Sequence, residues 1–111
     1  MTPGPKLVSI LRQGPYLIAS IHTALDDSQM VRFQHDLVKQ IGEHRARGVI
    51  IDVAALDVLD SFATRTLRAT AEMARLRGAA TVIVGIQPDV ASAMVQLGMS
   101  VTELHLSLIH I

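Results

Sequence analysis

The spacing of apolar residues changes repeatedly along the chain, and each change marks an element. Two β-rich runs, Leu7 to Leu11 and Tyr16 to Ile21, flank the turn-forming Gln13-Gly14-Pro15, which predicts a hairpin. Met30, Phe33, Leu37 and Ile41 then recur at three- and four-residue spacing, an amphipathic helix that Asp26, Asp27 or Ser28 caps and that ends before Gly48. Val49-Ile50-Ile51-Asp52-Val53 is a short, nearly continuous β-branched run, the pattern of a strand covered on both faces. Ser61 to Arg77 predicts a second helix, with Phe62, Ala63, Leu67, Ala71 and Ala74 on one face and Gly78 just past its C-cap. Arg75 and Arg77 suit the negative end of that helix. Ala80-Thr81-Val82-Ile83-Val84 repeats the buried-strand pattern. Pro88 and Asp89 open a third helix carrying Val90, Met94 and Leu97 to a stop at Gly98, and Thr102 to Ile111 reads as a final strand.

Helices between successive strands call for an α/β fold, a mixed sheet with parallel crossovers and helices packed against it. In open sheets of this kind function concentrates at the carboxyl ends of the parallel strands. Two segments answer to that rule: the loop after Val53, running through Asp57 and Asp60 to Ser61, and Gly85-Ile86-Gln87-Pro88.

A length of 111 residues with 50% hydrophobic content supports one packed core and leaves no room for a second domain. Ten Lys and Arg balance ten Asp and Glu, so no global field draws in nucleic acid, and 3% aromatic residues leave no stacking platform for bases. The absence of Cys excludes disulfides, thiolate zinc sites and cysteine nucleophiles, and fits a reducing cytoplasm. The amino-terminal stretch lacks the charged and apolar regions of a secretory signal, and no apolar run approaches the roughly 18 residues that span a bilayer. No membrane, nucleic acid or cofactor is therefore expected.

The candidate chemistry is sparse. Ser61, at a helix start, has a plain reading as a cap, since Ser and Asp side chains accept orphan backbone N–H bonds. The same place suits a phosphate, because helix N-termini present N–H donors and positive partial charge. Ser61 as a hydrolytic nucleophile lacks a Gly-x-Ser-x-Gly elbow and an assignable His. His22, His35, His44, His105 and His110 are scattered, with no i, i+4 pair to bind a metal. Asp52, Asp57 and Asp60 gather near one strand end and offer a Mg²⁺-dependent phosphoryl-transfer reading, but no Walker lysine or Gly-rich phosphate loop accompanies them. Arg65, Arg68, Arg75 and Arg77 give the second helix a positive side that can steer an acidic partner.

Four motifs, each on its proper element, carry a resemblance: Leu25-Asp26-Asp27 before the first helix, Val49-Ile50-Ile51-Asp52 in the strand, Asp60-Ser61-Phe62 at the second helix, and Gly85-Ile86-Gln87-Pro88 before the third. Together they resemble the STAS family, the sulfate transporter and anti-sigma-factor antagonist domain, over almost the whole chain. The resemblance implies a single non-enzymatic domain over residues 1–111, a phosphorylation-regulated antagonist or stressosome scaffold that captures or releases a partner-switching serine/threonine kinase. It implies that Ser61 is the phosphorylated residue and that Asp52 and Asp60 shape the surface around it. The partner surface expected there comprises Asp57, Asp60, Ser61, Phe62, Thr64, Arg65, Arg68 and Gln87. Implied partners are the kinase and larger paralogues with a sensor domain ahead of a similar module, in a homo- or hetero-oligomer. A free-standing antagonist that binds an anti-sigma kinase directly is the alternative. The family closes on a C-terminal helix where this chain stops at Leu108-Ile109-His110-Ile111, so a truncated or altered end is expected there.

Overall fold

The computed structural model describes residues 6–86 together with the backbone of Leu106–Leu108. The hairpin is β1 (Val8–Gln13) and β2 (Tyr16–Ile21), paired antiparallel from Val8↔Ile21 to Gln13↔Tyr16. Gly14, at φ 58°, supplies the positive φ that a two-residue hairpin turn demands, and the tight turn draws Arg12 and Gln13 into the ladder beyond the predicted end of the strand. Helix α1 follows at Asp27–His44. Of the three candidate caps, Asp26 takes the position: its carboxylate accepts from Gln29 N–H at 2.8 Å, and the Gln29 side chain accepts from Asp26 N–H at 2.9 Å. This reciprocal box satisfies two backbone donors at once. The bond from Gln29 N–H, and next that from the Ser28 hydroxyl, hold the Asp26 carboxyl below its ordinary pKa.

Strand β3 (Gly48–Asp52), helix α2 (Ser61–Leu76), strand β4 (Ala80–Ile86) and strand β5 (Leu106–Leu108) complete the described elements. Gly78 ends α2 as expected: at φ 84° it donates to Arg75 C=O, while Ala79 N–H reaches Ala74 C=O, the paired bonds of a Schellman stop. The third predicted helix and the flanks of the last predicted strand lie outside the described residues.

The sheet runs β1-β2-β3-β4-β5, with every pair after the hairpin parallel. The mixed α/β sheet predicted from the sequence is therefore present. Coverage of β3 and β4 on both faces is not found among the described residues. Val49, Ile51 and Val53 are buried while Ile50 and Asp52 are half-buried, and β4 alternates likewise. The cause is topological. Right-handed crossovers between strands laid down in sequential order all advance in one direction, so α1 and α2 stack on the same face and pack against each other. The opposite face carries the row Ile18, Ile50 and Val82, aligned by the parallel register and only half-buried. A β-branched run reads as doubly covered because valine and isoleucine serve both faces of a strand equally well.

Between the sheet and the helices, Leu17, Leu37, Ile51, Leu67 and Ile83 are fully buried. One polar seam crosses this layer, where Gln34 of α1 donates to Thr70 Oγ1 at 3.2 Å and to Thr66 C=O at 3.4 Å. Thr81, on the core face of β4, has a buried hydroxyl with no hydrogen-bond partner among the described residues. An unsatisfied buried hydroxyl costs about 1–3 kcal/mol, so Thr81→Val is expected to raise stability by about 1 kcal/mol and Tm by about 4 °C. Thermal and urea unfolding test this, and a destabilised variant would mean that the hydroxyl has a partner in solution.

Candidate functional site

The rim at the carboxyl ends of β3 and β4 is assembled by backbone before any side chain chemistry begins. Val53 N–H donates to Val84 C=O at 3.0 Å, carrying the parallel pairing one residue past β3. The chain then turns: the Asp52 carboxylate accepts from Ala54 N–H at 2.9 Å, and Leu56 N–H donates back to Val53 C=O at 2.9 Å. Leu56 is buried and Leu59 packs against the core, which pins both ends of the exposed stretch that holds Asp57 and Val58.

Gly85 fixes how closely the two strand ends approach. Its φ is 82°, and a Cβ there would lie 2.7 Å from the N, Cα and Cβ atoms of Ala54. Any side chain would displace the loop, and the local irregularity between Val84 and Ile86 is the bulge that accommodates this conformation.

Helix α2 begins where this loop ends. Asp60 is extended, at φ −75° and ψ 175°, and its carboxylate accepts from Ala63 N–H at 2.7 Å. The cap is therefore Asp60, and Ser61 is the first helical residue. The sequence offers both Ser61 and Asp60 as caps; Asp60 takes the position, and Ser61 has helical backbone. Ser61 is exposed, and its hydroxyl makes no hydrogen bond among the described residues. The other hydroxyls of α2 are in the opposite situation. Thr64, Thr66 and Thr70 are buried and donate to the carbonyls of Asp60, Phe62 and Thr66 at 2.9, 2.8 and 2.7 Å.

Near Ser61 in the chain, Asp57, Asp60 and Arg65 are exposed, Phe62 is half-buried against the core, and Arg68, two turns along α2, is half-buried. Thr64 leaves the surface, at 1% exposure, because its position on α2 faces the core. Gln87 lies outside the described residues. Asp52 and Asp60 both spend a carboxylate oxygen on a backbone N–H, and among the described residues no three acidic, His or Cys side chains gather in a metal-binding group.

The STAS domain model matches residues 8–108. The chain belongs to the STAS family. RsbS from Moorella thermoacetica, solved with a serine replaced by glutamate, is 30% identical to this STAS chain and superposes with a TM-score of 0.83, over 95% of this chain and 89% of the other. A chain from the molecular architecture of the stressosome, a signal integration and transduction hub, is 28% identical with a TM-score of 0.74, covering 90% of this chain and 87% of that one. Among curated proteins, the RsbT co-antagonist protein RsbRA of Bacillus subtilis is 28% identical over 71% of this chain, which spans 29% of the RsbRA length. The STAS chain is thus related to the stressosome proteins RsbS and RsbR. Among its described residues no helix is long and apolar enough to cross a membrane.

Two features of this STAS rim escape the sequence. Val58 is 71% exposed, an apolar residue in the same short segment as the exposed Asp57, Asp60 and Ser61. Its signal was faint: an apolar residue in a loop whose neighbours Leu56 and Leu59 are the ones turned inward. The second is the contact of Gly85 with Ala54, two residues separated by thirty-one positions that only the parallel register brings together. Gly85→Ala is expected to cost about 2 kcal/mol or more and to shift the amide resonances of Ala54 to Ser61 while sparing those of α1. Chemical denaturation and amide NMR spectra check both parts, and an unperturbed loop would show that Gly85 does not position it.

Proposed function

We propose that this STAS domain is a phosphorylation-switched binding module of a stressosome-type assembly, which captures a serine/threonine switch kinase when Ser61 is unmodified and releases it when Ser61 is phosphorylated. The observation that carries this reading is the exposure of the Ser61 hydroxyl on a helix whose other hydroxyls are buried and bonded to carbonyls. A kinase acting on the folded domain meets one hydroxyl on α2. Phosphate at the first helical position is compatible with the fold, since it adds about −1.5 to −2 charge beside the free N–H groups and positive dipole of the helix start. Recognition is what changes. A partner seated on Val58 and the Ser61 hydroxyl meets a doubly charged group next to Asp60 and in the same segment as Asp57, and like charges in a partly desolvated contact oppose binding.

The likeness to RsbS and to a stressosome chain supports a scaffold role, with sensor-bearing RsbR-type paralogues as co-assembling partners. On this reading the domain is a binder and not a catalyst, and it acts in the cytoplasm.

Incubation with the cognate kinase and ATP, followed by mass spectrometry, is expected to place the phosphate on Ser61 and to find none on Ser61→Ala. Kinase co-elution on size exclusion is expected for the unmodified domain and for Ser61→Ala, with about tenfold to hundredfold weaker binding for Ser61→Asp. Equal retention by the Ala and Asp variants would defeat the switch.

A further inference from the structure

The zero net charge of the chain hides a separation of charge along the strands. Asp26 and Asp60 cap α1 and α2 at the carboxyl-end rim, and Asp57 lies in the loop between β3 and α2. Arginines collect at the other end. The register Tyr16↔Gly48↔Ala80 aligns the starts of β2, β3 and β4, and both helices finish there. Arg12 stands next to the hairpin turn, Arg45 at the C-cap of α1, Arg47 just before β3 and Arg77 at the C-cap of α2. All four are exposed, and none forms a salt bridge among the described residues. Arg12 and Arg77 donate to Gly14 C=O at 3.4 Å and Met73 C=O at 3.5 Å, which occupies only part of each guanidinium's donor set.

Cations suit helix C-termini, which gives Arg45 and Arg77 a structural reading. That reading does not reach the other two. Arg12 belongs to no helix, and Arg47 lies beyond α1, clamped by its backbone: its N–H donates to Pro15 C=O at 2.7 Å and its C=O accepts from Ala80 N–H at 3.0 Å. A main chain fixed on both sides lowers the ordering cost of whatever the side chain binds. Arg45 is the one non-glycine residue with positive φ among the described residues, at φ 49° and ψ 47°, a conformation that helix ends normally give to glycine or asparagine. Glycine would close α1 with less strain, so the helix stop gives no reason for an arginine there.

Two large apolar side chains share this end. Leu76, the last residue of α2, is 80% exposed, and Tyr16, whose ring carbon Cδ1 lies 2.8 Å from where a Cβ of Gly48 would stand, is 50% exposed. Arginine and tyrosine are residues that protein interfaces favour. Glu43 and Glu72 stand among these cations, paired with Lys39 at 3.9 Å and Arg75 at 3.7 Å. A uniformly negative surface, such as a nucleic-acid backbone or a bilayer, meets both acids, whereas a peptide with discrete carboxylates avoids them.

We propose that the end of the sheet opposite Ser61 is a docking surface for an acidic peptide segment of another protein, whose carboxylates pair with Arg45, Arg47 and Arg77 while an apolar side chain covers Leu76. Arginine fits that partner because its planar fork binds a carboxylate through two parallel hydrogen bonds. Helix α2, 16 residues long, separates this surface from Ser61 by about 24 Å, well beyond the screening length of about 8 Å at physiological salt. Docking here is therefore independent of the phosphorylation switch.

Fluorescence anisotropy with a fluorescein-labelled peptide of repeating Glu-Glu-Leu tests the surface. Saturable binding is expected that weakens as salt rises, falls by roughly tenfold or more when Arg45→Glu and Arg47→Glu are combined, and is unchanged by Ser61→Asp. Leu76→Ser, at an exposed site, is expected to weaken it as well. Arg45→Gly separates docking from a structural role: glycine accepts the positive φ, so Tm is expected to hold or rise while binding weakens by about threefold or more. Absence of saturable binding, equal binding of a Gln-Gln-Leu control, indifference to the arginine substitutions, or tighter binding to a single-stranded oligonucleotide or to phosphatidylserine vesicles would overturn the proposal.

Discussion

The van der Waals contact between Gly85 and the backbone of Ala54 sets the geometry on which the rest of the functional rim depends. Parallel strands end at their carboxyl tips with free carbonyls and no direct connection to one another, so a loop leaving one tip has no reason to keep a fixed course. Here the tip of β4 presents a residue with no side chain, and the loop from β3 lies against it. The hydrogen bond from Val53 N–H to Val84 C=O and the turn held by the Asp52 carboxylate then direct the chain. Leu56 and Leu59 anchor it below, and Asp60 arrives in the extended conformation that starts α2. Each step leaves the next little conformational freedom, which is how a surface loop delivers one hydroxyl to one place without burying it.

The division of labour between Asp60 and Ser61 follows from that delivery. A residue used as a cap commits a side-chain oxygen to a backbone N–H of the first turn. Moving the cap one position earlier, to a carboxylate that binds Ala63 N–H, frees the serine while keeping the helix start satisfied. The acidic cap also sets the electrostatic background: the surface next to Ser61 already carries negative charge from Asp57 and Asp60 before any modification. Val58 supplies the apolar contact that such a surface otherwise lacks.

Much of this was legible in the sequence, for reasons that differ by element. The helix periods of Met30, Phe33, Leu37 and Ile41, and of Ala63, Leu67, Ala71 and Ala74, map directly onto buried faces because a helix has one inward stripe. Gly78 announced the end of α2 because only a positive φ closes that stop without strain. The strands were less legible in one respect: Val49-Ile50-Ile51 does not say which face a helix covers, and that is decided by strand order, a property of the whole chain. Thr64 was counted as surface, yet it stands three and seven residues before Leu67 and Ala71 and so shares their buried stripe. The role of Gly85 stayed hidden because its partner is distant in sequence, although the glycine itself stood in a recognisable motif.

The three threonines of α2 make the reactivity of this helix a property of folding as well as of sequence. Ser61, Thr64, Thr66 and Thr70 are chemically similar alcohols, but three of them are withdrawn from solvent and tied to carbonyls four residues back. The native state thus works as a protecting group, leaving a single alcohol to any enzyme or reagent. A chain that opens locally at α2 loses that protection, and the stoichiometry of its modification becomes a direct chemical count of how much of the helix was folded when it reacted.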